Sequence, residues 1–188
     1  MADADVRAAT PSDATEITRI QVTTWRSAYS DLLPTEVLDD LDATTNERQW
    51  RQAVTEGPAT VVVATEGEWV VGFCAAGAAP ESEVAAADGT VPSDAATTAL
   101  ISTLLVEPRW GRRGHGGRLL GMMARRLTEG GWTRGVTWVP EADEATMSFF
   151  RGLGWDPDGT VRTLDASGRP LRELRLSGGL DLRFEQER

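Results

Sequence analysis

The residues best placed to do chemistry lie between positions 109 and 134. Gly111, Gly114, Gly116 and Gly117 follow a strand-like run and open a leucine-rich one, interleaved with Arg112, Arg113, His115 and Arg118. A strand that runs into glycines and then a helix aims several backbone N–H groups and the positive helix end at one point, which is how a phosphate is held. Charge agrees: this stretch carries seven arginines and one acid, Glu129, a local balance of +6 inside a chain of net charge -10. A polyanion is the natural occupant, because guanidinium groups make charge-assisted bonds to phosphate oxygens.

Elimination narrows the polyanion. A nucleotide-triphosphate loop needs a Lys and a Ser or Thr after its last glycine, and the chain has no lysine. A dinucleotide fold carries its glycine fingerprint after the first strand of a βαβ unit, whereas here the turn follows several strands and is spaced differently. The bland alternative is a tight turn with a solvated arginine face.

These residues need elements to hold them. At 188 residues the chain is one domain by length, with 40 % hydrophobic and 26 % charged residues in ordinary globular proportion. Twenty-nine acids against 19 bases argue against a nucleic-acid backbone as partner and favour a cationic small molecule or peptide. The single cysteine, Cys74, sits in the apolar run 70–74 and reads as a core residue. The N-terminus has no basic start before an apolar stretch and no window is long enough for a membrane span, so a soluble, cytoplasmic protein is expected, with no membrane partner.

Along the chain, residues 4–9 read as a strand, followed by a helix start at Thr10-Pro11-Ser12-Asp13. Ala14, Ile17 and Ile20 give that helix an apolar stripe, and Trp25 and Tyr29 share a neighbouring face near its end. Helical stretches at 35–40 and 46–55 precede a hairpin of 60–65 and 69–78 around Glu66-Gly67-Glu68. Residues 80–96, with four acids and no base, read as a flexible acidic loop. Strand 100–106 ends at Glu107-Pro108. The glycine turn and its helix follow, stopped by Gly130-Gly131. A strand at 136–139, a helix at 144–153 and strands at 159–164 and 171–176 complete the order, an α/β or α+β mixed sheet with helices on both faces. One domain over 1–178 and a short tail, frayed over 182–188, are expected.

The run from Leu104 to Leu120, with Val106-Glu107-Pro108, aromatic Trp110 and the glycines, resembles the acetyl-CoA motif of the GNAT superfamily of N-acetyltransferases. Trp138-Val139, Asp143 and the run Ser148-Phe149-Phe150-Arg151-Gly152-Leu153-Gly154-Trp155 resemble the family's later strand and helix end. Val6-Arg7-Ala8-Ala9 with Asp13 and Ile17 is similar to its opening, so the likeness covers about 4–178. The resemblance implies a twisted, mostly antiparallel mixed sheet and acetyl-CoA as acyl donor, with no metal. It implies pantetheine against the backbone of Leu104, Leu105 and Val106, which splay from the next strand. Pyrophosphate would rest on the amides of Gly111, Arg112, Arg113, Gly114, His115, Gly116 and Gly117, with Asp143 and Phe150 also at the cofactor.

Four positions depart from the family pattern. Gly111 replaces the first Gln or Arg of the motif, and His115 replaces an aliphatic residue and is better placed to bind than to deprotonate an amine. Phe150 stands where many relatives place a proton-donating tyrosine, and Leu100 where a glutamate base often stands. Tyr29, Ser148, Glu141 and Asp143 are the candidate replacements, each with packing, capping or solvation as its alternative. The stretch Trp25-Arg26-Ser27-Ala28-Tyr29-Ser30-Asp31-Leu32-Leu33-Pro34 is similar to one in bacterial small-molecule members, which makes Trp25 and Tyr29 candidates for an aromatic face toward an amine, alongside core packing. The expected activity is acetyl transfer from acetyl-CoA to a small-molecule primary amine by direct attack. A non-catalytic acyl-CoA-binding module and a protein or peptide N-acetyltransferase are the alternatives, and the resemblance makes a homodimer a candidate assembly.

Overall fold

The computed structural model describes residues 4–31, 33–39 and 43–182. In chain order the elements are β1 (Ala4–Ala8), a 3₁₀ turn (Pro11–Asp13), α1 (Ala14–Ala28), α2 (Thr35–Asp39), α3 (Ala43–Glu56), β2 (Thr60–Glu66) and β3 (Trp69–Ala78). They continue as α4 (Glu81–Val84), β4 (Thr98–Val106), α5 (His115–Glu129), β5 (Arg134–Pro140), α6 (Glu144–Arg151), β6 (Asp156–Ala166) and β7 (Arg169–Gly179). The strands follow the order β1-β2-β3-β4-β5-β7-β6 in a mixed sheet flanked by helices. The pairs β1–β2, β2–β3 and β5–β7 are antiparallel, and β4–β5 is parallel. The fold class expected from the sequence is the one observed.

The chain packs as two compact units, the first comprising residues 1–76, 103–123 and 166–169, the second 77–102, 124–165 and 170–188. In the first unit the stripe of α1 lands as its spacing predicts: Ile17 and Ile20 are fully buried with Val61, Val63, Val70, Phe73 and Ala75, and Trp50 and Val54 of α3 pack on them. Each such burial contributes roughly 1.5–3 kcal/mol relative to exposure. Asp13 joins β1 to the start of α1, accepting from both terminal nitrogens of Arg7 at 2.7 and 2.8 Å and from the Thr10 backbone N–H at 2.7 Å. Cys74 is fully buried, and desolvation pushes its thiol pKa up. Gly72 admits α5 to the sheet, because a Cβ there would stand 2.7 Å from the Leu105 carbonyl oxygen and 3.2 Å from Leu119.

In the second unit Trp155 is fully buried and donates to the Gly179 carbonyl at 3.0 Å. A Cβ on Gly135 or Gly178 would overlap its indole. The acidic stretch 80–96 departs from the loop expected. It holds α4 and a 3₁₀ turn at Ala95–Thr97, and Val84 is 1 % exposed. Glu83 anchors it, accepting from Trp138 Nε1 and pairing with Arg162 at 3.2 Å. Tertiary contacts override composition that is weakly helical on its own. The last strands are longer than expected. Pro157 sits in β6, the last strand of the sheet order, and an edge strand is where a proline is tolerated. The expected fraying lies outside the described residues from 183 onward.

Candidate cofactor site

Proline at 108 ends β4 and nucleates a 3₁₀ turn, Pro108–Trp110, closed by the Gly111 N–H to the Pro108 carbonyl at 3.0 Å. Residues 111–114 are exposed and His115 is buried. Gly114 adopts φ +80° and Arg112 φ +62°, so two left-handed residues reverse the chain into α5. The first bond of the helix ladder at this end runs from the Arg118 N–H to the Gly114 carbonyl, 3.1 Å. The N–H groups of His115, Gly116 and Gly117 therefore precede the ladder and are free for an acceptor outside it. Amide donors at a helix start, flanked by Arg112 and Arg118, are the chemistry a diphosphate requires, so this turn fits the phosphates of coenzyme A.

One carboxylate braces the turn. Glu66, the last residue of β2, accepts from Arg113 Nη1 at 2.9 Å and from His115 Nε2 at 2.8 Å. Desolvation works to raise the Glu66 pKa, but the His115 hydrogen bond and the Arg113 charge outweigh it and hold the carboxyl below the usual carboxylate range. An ionised Glu66 only accepts, which places a proton on His115 Nε2, while Nδ1 is buried without a hydrogen-bond partner. The Arg113 guanidinium also lies 4.9 Å from the Trp110 ring centroid. Arg113 is thus engaged within the protein, and among the described residues Arg112 makes no ion pair.

A second brace stands at the end of β4. Glu107 donates its N–H to the Val71 carbonyl at 2.9 Å, and its carboxylate holds Arg19 at 3.1 Å and Arg109 at 2.8 Å. Burial favours the neutral acid here as well, yet the bonds and charges of Arg19 and Arg109 keep its pKa low. Leu104, Leu105 and Val106 are half-buried, with Leu105 against the core of the first unit.

Trp25 and Tyr29 meet edge to face, centroids 6.0 Å apart, both half-buried at the end of α1. The remaining candidates belong to the second unit. Glu141 is exposed and paired with Arg172 at 2.9 Å, and Ser148 is exposed on α6. Asp143 caps α6, accepting from the Thr146 N–H at 3.0 Å and its hydroxyl at 2.8 Å. Phe150 is 2 % exposed and packs on Phe149 and Trp155 at 5.3 and 5.4 Å. The β4–β5 register comprises Thr98–Arg134, Ala99–Gly135 and Leu100–Val136, and Thr137 Oγ1 donates to the Ile101 carbonyl at 2.9 Å.

Sequence reasoning missed Glu66. Its one local signal is a glutamate beside a hairpin glycine, which reads as solvated; its partners are 47 and 49 residues away. Among the described residues no cluster of His, Cys, Asp or Glu is arranged to hold a metal ion, and no helix is long and apolar enough to cross a membrane.

Comparison with known proteins gives the class. Residues 16–155 match the model of the acetyltransferase (GNAT) family, and the chain belongs to that family. It is 28 % identical over 172 residues to the uncharacterized N-acetyltransferase YuaI of Bacillus subtilis (strain 168), covering 91 % of this chain and 90 % of that protein. Among solved structures it is similar to the ribosomal-protein-alanine N-acetyltransferase of Brucella melitensis, with TM-score 0.73 and 18 % identity over 93 % of this chain and 99 % of that one. It is also similar to yncA from Salmonella typhimurium with its cofactor acetyl-CoA, with TM-score 0.71 and 18 % identity over 98 % of each chain.

Proposed function

We propose that this chain transfers the acetyl group of acetyl-CoA to the primary amine of a small molecule by direct attack. The observation that carries the reading is the left-handed turn at 111–117, whose helix-start amides precede the ladder of α5 and whose arginines suit a diphosphate. When bound, acetyl-CoA supplies an activated thioester: the amine nitrogen forms the new bond to the acetyl carbon, the C–S bond breaks, and the amine proton leaves as the thiol is regenerated. Residues 111–117 bind and orient through backbone donors, and the backbone of 104–106 carries the pantetheine arm. Proximity and orientation can supply ~7–11 kcal/mol of the barrier, and acid or base assistance a further ~100- to 10,000-fold. Trp25 and Tyr29 form the aromatic face toward the amine, and Tyr29, Ser148 and Glu141 are the candidates to move its proton.

The buried Phe150, which has no proton to give, favours a second reading, a non-catalytic acyl-CoA-binding module. One experiment separates them. Calorimetric titration with acetyl-CoA and CoA is followed by polyamines, aminoglycosides, amino acids and short peptides while free thiol is monitored. Binding with thiol release for a small-amine class supports the transferase, and release only with peptides selects a peptide acceptor. Binding without release across the panel selects the module, and absence of binding overturns the cofactor reading.

A further inference from the structure

We propose that Glu66 is the positioning residue of the phosphate turn, holding it in its binding conformation before any cofactor arrives; the inference rests on the acetyl-CoA reading above. Glu66 contacts the two residues that flank Gly114, with Oε1 toward Arg113 at 2.9 Å and Oε2 toward His115 at 2.8 Å. Arg112 is held left-handed at a steric cost and Gly114 takes that region freely along with many others, so an untethered turn has competing conformations and, at Arg112, an energetic reason to leave this one. The anchor lies in paired strand: Glu66 is in register with Trp69 across a two-residue turn, and β2 pairs with β3 from Thr60 to Glu66 with one register shift between Ala64 and Thr65. His115 is nearly fully buried and is the first residue of α5, so the tie also fixes where the helix begins.

The placement opposes simple electrostatics. A carboxylate beside a diphosphate site repels the ligand, and Coulomb's law alone predicts that neutralising it strengthens binding. Pre-organisation predicts the reverse, because affinity falls by the fraction of molecules that no longer hold the competent turn. Glu66→Gln keeps the shape and removes the charge, and its amide offers one acceptor oxygen where the carboxylate offers two, so one of the two donors, Arg113 or His115, then faces an NH2 group. Glu66→Asp keeps the charge and is too short to reach both partners.

The test is the CoA dissociation constant by calorimetry for the wild type, Glu66→Gln and Glu66→Asp, with melting of each CoA-free protein followed by circular dichroism. The expected result is binding about tenfold weaker in both variants. Unchanged or tighter binding of CoA by folded Glu66→Gln overturns the positioning role and leaves the cofactor reading standing. A wild type that does not bind CoA overturns the cofactor reading itself. The untagged wild type gives an independent decision, since the chain has one histidine. Its imidazole N–H is expected as a slowly exchanging resonance in the CoA-free protein, and its absence there overturns the proposal even where a variant fails to fold.

Discussion

Arg175 and Arg112 are the same side chain in opposite circumstances. Arg175, in the second unit, is 5 % exposed and each of its three guanidinium nitrogens donates: to Asp158 at 2.7 Å, to the Glu83 and Ala85 carbonyls at 3.0 and 2.8 Å, and to Thr160 at 2.8 Å. Around it Arg162 pairs with Glu173 at 2.6 Å and stacks 4.3 Å from the Trp138 centroid. Arg112, in the first unit, is exposed, left-handed and without an ion pair among the described residues. A satisfied cluster is a fastening, and it explains why 80–96 folds onto its sheet. A turn whose helix-start donors and cation are unspent, in a strained backbone, is the region we propose for the phosphates.

The fastening is where the largest loss of stability is expected. Arg175→Ala leaves Asp158 and two carbonyls without their donor, and breaking a buried pair in this way costs about 3–5 kcal/mol. Urea denaturation reads it as a lower midpoint at unchanged slope. CoA affinity, measured where the variant is still folded, should stay at the wild-type value. Equal losses of stability and affinity would erase the distinction between the two clusters.

Gly114→Ala tests the other side. A Cβ would meet Arg118 at 3.7 Å, an ordinary contact, so the cost is conformational: about 1–2 kcal/mol for an L-residue held left-handed. The turn can escape that cost by abandoning its conformation, which shows as CoA binding weaker by about tenfold and a melting temperature lowered by only a few degrees. A variant that melts early yet binds CoA normally would place the phosphates elsewhere.

This contrast also marks what was legible in the sequence. Proline 108, the glycines and the stripe of Leu119, Leu120 and Met123 act within a few residues, so the turn and its helix could be read directly. Ile17 and Ile20 pointed to a real core for the same reason. Glu66 and Glu83 could not be read, because each acquires its meaning from partners that the sheet brings near: Arg113 and His115 for one, Trp138 and Arg162 for the other. The stretch 80–96 looked like loop because its alanines, glycine and prolines describe local preference alone, whereas buried Val84 and tethered Glu83 decide its structure. Asp143 was legible as a carboxylate near the family's helix, and the bonds to Thr146 supply its local role as a cap.

The smallest effect discriminates most finely, since it asks whether the strain at Arg112 is retained for its charge. Arg112→Gly removes about 1–2 kcal/mol of left-handed strain and adds about 0.5–1 kcal/mol of unfolded-state freedom, so stability should rise slightly. Arg112→Ala keeps the strain and should leave stability where it is. Both remove the same cation, so both should weaken CoA by the same few-fold factor, and that loss should shrink as added salt screens an exposed contact. Stability that rises only with glycine, beside affinity that falls equally in both, identifies a strained residue held for its charge. Affinity that follows stability instead would mean that the backbone of residue 112, and not its guanidinium, is what the phosphates require.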